Sequence, residues 1–181
     1  MKLNPRFIFI AAFILIAAAL RLLINIPNVT PIAAMALFGG AYFGKRHIGY
    51  IIPLVTLFIS DLVLMAIDPA YGFHATMIYV YIGFAITVTI GIAMKKRINI
   101  YSVFGASILS SVIFFLLTNF GSWMTLMMPY PMSFAGLMEC YTAGLPFLRW
   151  EALGTLGFST VLFGVFYLAQ LRFPVLAKVK A

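Results

Sequence analysis

Arg21 and Asp61 are charged side chains embedded in long apolar runs, the first in residues 6–26 and the second in 48–67. Arg21 lies about five residues from the end of its run and Asp61 about six from the end of its own. At helical rise both are roughly 8–9 Å below the same boundary. An isolated charge at that depth in hydrocarbon is costly, so an ion pair turned into a helix bundle is the natural resolution. The plainer alternatives are an Arg21 that snorkels to the interface and an Asp61 that faces water beside Ser60.

Other polar groups gather near the ends of the apolar runs. Asp68-Pro69-Ala70-Tyr71-Gly72-Phe73-His74 combines two turn signals with an imidazole. His74 can contact a ligand or metal, or can simply open the next helix. Cys140, the only thiol, could join His74 in a soft metal or corrinoid contact, or serve as a small apolar filler. Thr118-Asn119-Phe120-Gly121-Ser122-Trp123 offers an amide, a hydroxyl and an indole. Asn119 and Trp123 suit ligand recognition and stacking, but also a helix C-cap with an interfacial Trp. No His-Glu-x-x-His, Gly-x-Ser-x-Gly, P-loop or Gly-x-Gly-x-x-Gly occurs in the sequence. Asp61 is the only acid inside an apolar run, and one carboxylate cannot relay a proton across a membrane.

The elements that must position these groups follow from composition. The 181 residues are 64% hydrophobic and 9% charged, with a mean hydropathy of +1.10. No soluble domain buries that much apolar surface, so lipid is the expected solvent. A net charge of +8 would suit nucleic acid, but the basic residues sit in short clusters between apolar runs and read as orientation signals. Six spans are predicted at about 6–26, 30–44, 48–67, 75–94, 101–119 and 152–172. The first 20 residues imitate a secretory signal, yet the apolar run continues past Arg21 and makes a full span.

With a cytoplasmic N-terminus, the inner side collects Lys2, Arg6, Lys45, Arg46, Lys95, Lys96, Arg97, Arg172, Lys178 and Lys180, leaving Arg21 and Arg149 of the twelve basic residues towards the outer side. The C-terminus is then cytoplasmic too. The four acids, Asp61, Asp68, Glu139 and Glu151, all fall towards the outside. That bias requires 30–44 to cross, although its 15 residues reach only about 22 Å. This short segment is entered through Pro27-Asn28-Val29-Thr30-Pro31, a device for bringing backbone polar groups to membrane depth. Its Ala36, Gly40 and Gly44 form a strip for close helix packing. The outer connection from Phe120 to Glu151 is about 30 residues long, rich in Met, Pro and aromatics. It is expected to hold a short interfacial helix over 133–150, broken at Gly144 and Pro146, and to lie over a pocket or on the membrane surface.

Four motifs carry a resemblance: Pro27-Asn28-Val29-Thr30-Pro31-Ile32-Ala33-Ala34-Met35-Ala36-Leu37-Phe38-Gly39-Gly40-Ala41-Tyr42-Phe43, Ile59-Ser60-Asp61-Leu62, Thr118-Asn119-Phe120-Gly121-Ser122-Trp123, and Gly136-Leu137-Met138-Glu139-Cys140-Tyr141-Thr142-Ala143-Gly144-Leu145-Pro146-Phe147. Over most of its length the chain resembles a family of uncharacterised bacterial multi-pass membrane proteins. That family is similar in size and layout to the S-components of energy-coupling-factor (ECF) vitamin transporters. The resemblance implies an outward-facing vitamin or metal pocket and a small-residue surface that docks a partner module. The first span departs from the S-component Ala-x-x-x-Ala, its alanines repeating at seven residues instead. Near the last span, Trp150-Glu151 and Gly154-Thr155 stand where the uncharacterised family tends to have Asn-Thr and Gly-Asp.

The resulting expectation is an all-α, S-component-like bundle of six transmembrane helices, one domain over 1–181, in the cell inner membrane. It is expected to be no enzyme and to need neither cofactor nor metal. It would capture a small vitamin- or cofactor-like organic molecule on the outer side, using Arg21, Asn28, Asp61, His74, Asn119, Trp123, Glu139 and Cys140. Its expected partners are that ligand, the bilayer, and an energising transporter module or a second copy. A membrane enzyme using Cys140 or His74, and a non-transporting scaffold, are the competing readings.

Overall fold

A short helix with no exposed face lies at the centre of the molecule. The computed structural model describes residues 4–23, 28–43, 46–69 and 73–177. Among them are six α-helices: α1 (Pro5–Leu23), α2 (Ile32–Tyr42), α3 (Arg46–Ile67), α4 (Met77–Met94), α5 (Ile100–Met124) and α6 (Phe134–Arg172). A 3-10 turn at Pro174–Leu176 follows. Five of the helices are long and apolar enough to cross a membrane, and α2, with 11 residues, is shorter. Large apolar side chains such as Leu15, Ile16, Ile51, Ile82, Leu168 and Leu171 point outward. A surface of that kind suits lipid rather than water.

All 11 residues of α2 are buried, and it packs against the other five helices. A helix apolar all round has no side to offer solvent, so burial on every face is its stable placement. Two glycines allow the closest contact. A Cβ on Gly40 would run into the Val88 carbonyl of α4, and one on Gly91 into the Leu37 carbonyl of α2. The obstacle in both cases is backbone, which has no rotamer through which to give way. On the other side, Phe38 contacts the rings of Phe13, Phe163 and Phe166 at centroid distances of 6.0, 5.4 and 5.4 Å. Lipid is as apolar as these side chains, so shape and dispersion, rather than water exclusion, hold the contact.

The chain direction alternates. Arg21 meets Asp61, joining the last turns of α1 and α3, while Arg6 lies over the ring of Tyr42, joining the start of α1 to the end of α2. Lys95, after α4, donates to the Phe43 carbonyl after α2 (3.1 Å). One end of the bundle therefore holds Arg6, Tyr42 and Lys95, and the other holds Arg21, Asp61 and the α5–α6 connection.

The expected 30-residue outer connection is mostly helix. α5 runs on to Met124, and α6 begins at Phe134, leaving only 125–133 between them. Ser133 caps α6 by accepting from the Gly136 amide (3.2 Å). The helix then passes through Gly144 and Pro146 without a break. Gly144, expected to break the helix, belongs instead to a packing stripe: Gly136, Cys140 and Gly144 are buried at four-residue spacing. A Cβ on Gly144 would meet Asn119 and Phe115 of α5. Neighbouring helices make such residues tolerable in a span. At 39 residues, α6 is about 58 Å long, nearly twice the hydrocarbon thickness, so in a bilayer it must tilt steeply or project from it. Gly44 of the expected packing strip lies outside the described residues, whereas Ala36 and Gly40 sit in the α2 core.

The glycine contact predicts an asymmetric response to a single methyl. Gly40→Ala should lower stability by about 1–3 kcal/mol through overpacking against backbone. Gly157→Ala, where a Cβ meets nothing within 4 Å, should be neutral or stabilising by up to about 1 kcal/mol. Thermal unfolding of both purified variants in one detergent checks the pair, and an equal response would remove this account of the core.

Candidate functional site

The Arg21–Asp61 pair anchors a cavity at the end of the bundle away from Arg6 and Lys95. Arg21 Nη1 lies 2.6 Å from Asp61 Oδ1 and donates to Ser60 Oγ at 2.6 Å. Ser60 donates in turn to the Leu57 carbonyl (2.7 Å), so its hydroxyl relays between backbone and guanidinium. The second Asp61 oxygen accepts from the Tyr81 hydroxyl at 2.7 Å. Asp61 is 2% exposed and the Arg21 side chain 15%. Both carboxylate oxygens are thus engaged, which is the condition for keeping a charged pair out of water.

Beside this network is a cavity of about 290 Å³. Its polar lining comes from Arg21 of α1, Asn28 and Thr30 ahead of α2, Asp61 of α3, His74 ahead of α4, Thr87 of α4 and Glu151 of α6. Phe84, Phe114, Met77 and Ile32 supply apolar wall. Asn28 holds a left-handed backbone conformation (φ 62°), which Asn tolerates better than most residues. His74 Nδ1 is hydrogen-bonded to the Thr76 hydroxyl, which fixes the ring at the start of α4.

Glu151 is the charged cavity residue absent from the expected ligand set, which also lacks Thr30 and Thr87. It was placed in a loop just ahead of a span starting at 152. With α6 beginning at Phe134, Glu151 is in mid-helix, one turn before Thr155, whose hydroxyl donates to Glu151 Oε1 (3.4 Å). An acid four residues before a buried Thr was the available signal. It is legible only once the helix start is assigned to Ser133.

Asn119, Trp123, Glu139 and Cys140 do not line this cavity. Asn119 donates to the Phe115 carbonyl (2.9 Å) and accepts at its own carbonyl from the Cys140 thiol (3.5 Å). The second of these contacts ties α5 to α6. The Trp123 indole donates to the Pro131 carbonyl (2.9 Å) and pins the 125–133 turn, in which Leu126 is left-handed (φ 52°). Glu139 is exposed on α6. His74 and Cys140 therefore belong to separate surroundings, and no group of three His, Cys, Asp or Glu suited to a metal occurs among the described residues.

Residues 1–176 match the sequence profile of a family of unknown function, DUF6580. The chain belongs to that family. No curated protein and no solved structure matches it. The match covers every cavity-lining residue, so the cavity lies wholly within the family's own domain.

The ion pair predicts strong coupling. Asp61→Ala leaves a buried guanidinium unpaired and should cost about 3–5 kcal/mol, whereas the Arg21→Met/Asp61→Leu double variant should lose much less. A double-mutant cycle by thermal unfolding reads the difference, and additive losses would refute the pairing.

Proposed function

We propose that this protein binds a small organic molecule, vitamin- or cofactor-like, in the cavity beside Arg21 and Asp61, and mediates its uptake from the outer side of the cell inner membrane. The observation that supports the reading is the cavity's composition: an apolar wall with a few polar groups converging from α1, α3, α4, α6 and the approach to α2. Ligand sites are typically built this way, and about 290 Å³ is near the lower end of their range, which favours a compact ligand. The Arg21 and Asp61 charges satisfy each other, leaving Glu151, whose bond to Thr155 is long (3.4 Å), as the polar group best placed to recognise a donor or cation on the ligand. The topology goes with this reading: six crossings including the short α2, S-component-like, with both termini cytoplasmic. An energising module or a second copy is the proposed partner. Of the two residues that the enzymatic alternative would use, Cys140 packs on Asn119 outside the cavity, whereas His74 lines it.

Mass spectrometry of small molecules copurifying with the detergent-solubilised protein should find one enriched compound. Glu151→Gln should weaken its binding about tenfold or more, the loss expected when a hydrogen-bond partner in a buried site is left unsatisfied. Asn28→Gly, which keeps the left-handed backbone accessible, should lower affinity without lowering the melting temperature. No copurifying compound, together with no thermal shift across a vitamin panel, would refute the proposal.

A further inference from the structure

Of the two acids that line the cavity beside Arg21, only Asp61 has a cation opposite it among the described residues. Glu151 is partly buried in mid-helix, and its hydrogen-bond partners are neutral hydroxyls, those of Thr155 on its own helix and Ser111 of α5. The charged and titratable groups around it are engaged elsewhere. Arg21 of α1 is taken up by Asp61 and Ser60, Tyr81 of α4 donates to Asp61, and His74, ahead of α4, is bonded to Thr76. Arg149, two residues before Glu151, is exposed and lies over the Trp150 ring, 5.1 Å from its centroid. α2 and α5 add no charged group to the lining. A carboxylate drawn out of water without a cation is costly, so the site is complete only when something positive enters it.

The rest of the lining says what kind of cation fits. The Thr87 hydroxyl gives its proton to the Gly83 carbonyl (2.9 Å), so towards a ligand its oxygen can only accept. Phe84, Phe114, Leu64 and Met77 make the wall apolar, which suits a carbon skeleton better than a bare metal ion seeking a shell of oxygens. We propose that the ligand of this cavity is a compact organic monocation, an ammonium held at Glu151, with Thr87 as a further acceptor and its carbon skeleton along Phe84 and Phe114. The inference rests on the binding reading above and narrows it to one substrate class. Arg21 then cancels Asp61, the ligand cancels Glu151, and the aromatic wall adds cation–π attraction. The larger cavity at the opposite end, about 850 Å³ and lined by Arg6, Tyr42 and Lys95, has no carboxylate in its lining. The demand for a cation is therefore specific to the end at Arg21.

The test is thermal unfolding of the full chain in detergent at neutral pH, with n-butylammonium chloride, n-butanol or sodium butyrate. The three share a carbon chain and differ in charge. Butylammonium should raise the melting temperature at concentrations about tenfold or more below those at which butanol does, and sodium chloride at equal ionic strength should not reproduce the effect. Glu151→Gln, nearly isosteric, should erase the difference between ammonium and alcohol. Thr87→Val keeps the side-chain shape and should weaken the ammonium about fivefold. Glu139→Gln, at an exposed acid outside the cavity, should leave the preference intact. An equal response to butanol, a response to butyrate alone, reproduction by sodium chloride, no response to any of the three, or a preference retained in Glu151→Gln would each overturn the cation. The binding reading fails separately: a neutral or anionic compound that copurifies would leave it standing while this inference falls.

Discussion

The architecture depends on a backbone-to-backbone contact. Where Gly40 meets Val88 and Leu37 meets Gly91, α2 and α4 approach so closely that no side chain fits between them. Only this approach allows an 11-residue helix to be enclosed by five neighbours. A residue larger than glycine would push α4 away and open the centre of the bundle. Dispersion falls off steeply with separation, and in lipid no water-exclusion term makes up the loss.

The shortness of α2 has a consequence at each end. It starts at Ile32, well inside the depth spanned by its longer neighbours, so the 28–31 approach descends into the bundle. Asn28 and Thr30 thereby come to line the cavity beside Arg21 and Asp61. At its other end α2 stops at Tyr42, and the space beyond is taken by Arg6 over the Tyr42 ring and by Lys95 on the Phe43 carbonyl. Both cavities thus lie near the ends of a helix too short to fill the bundle.

Several of these features were legible in the residues. The equal depth of Arg21 and Asp61 in two apolar runs pointed to their pairing, because hydrocarbon leaves a lone charge few other options. Pro31 and the smooth apolar run after it marked a short helix, and the structure starts that helix at Ile32. The α5–α6 region was not legible in the residues, because Gly and Pro at positions 144 and 146 would break a helix in water. Packed against Phe115 and Asn119, the glycine becomes an asset and the proline is tolerated. With a break expected there, Glu151 falls in a loop rather than in mid-helix, and Asn119, Trp123, Glu139 and Cys140, expected at the ligand, lie outside the cavity beside Arg21 and Asp61. Three of these four hold α5, its following turn and α6 together.

By itself the sequence determined the medium and the local elements. Apolar run lengths and the Pro31 entry depend on neighbours a few residues away, and their physics is local. Only the tertiary structure decided which polar groups share a cavity. Glu151 and Asn28 are far apart in the chain and meet through the placement of α6 beside the approach to α2. The same holds for Arg6 and Lys95 at the opposite end. Such meetings depend on where helices fit closely against one another, and close fit is a property of two surfaces together, which no single run of residues specifies.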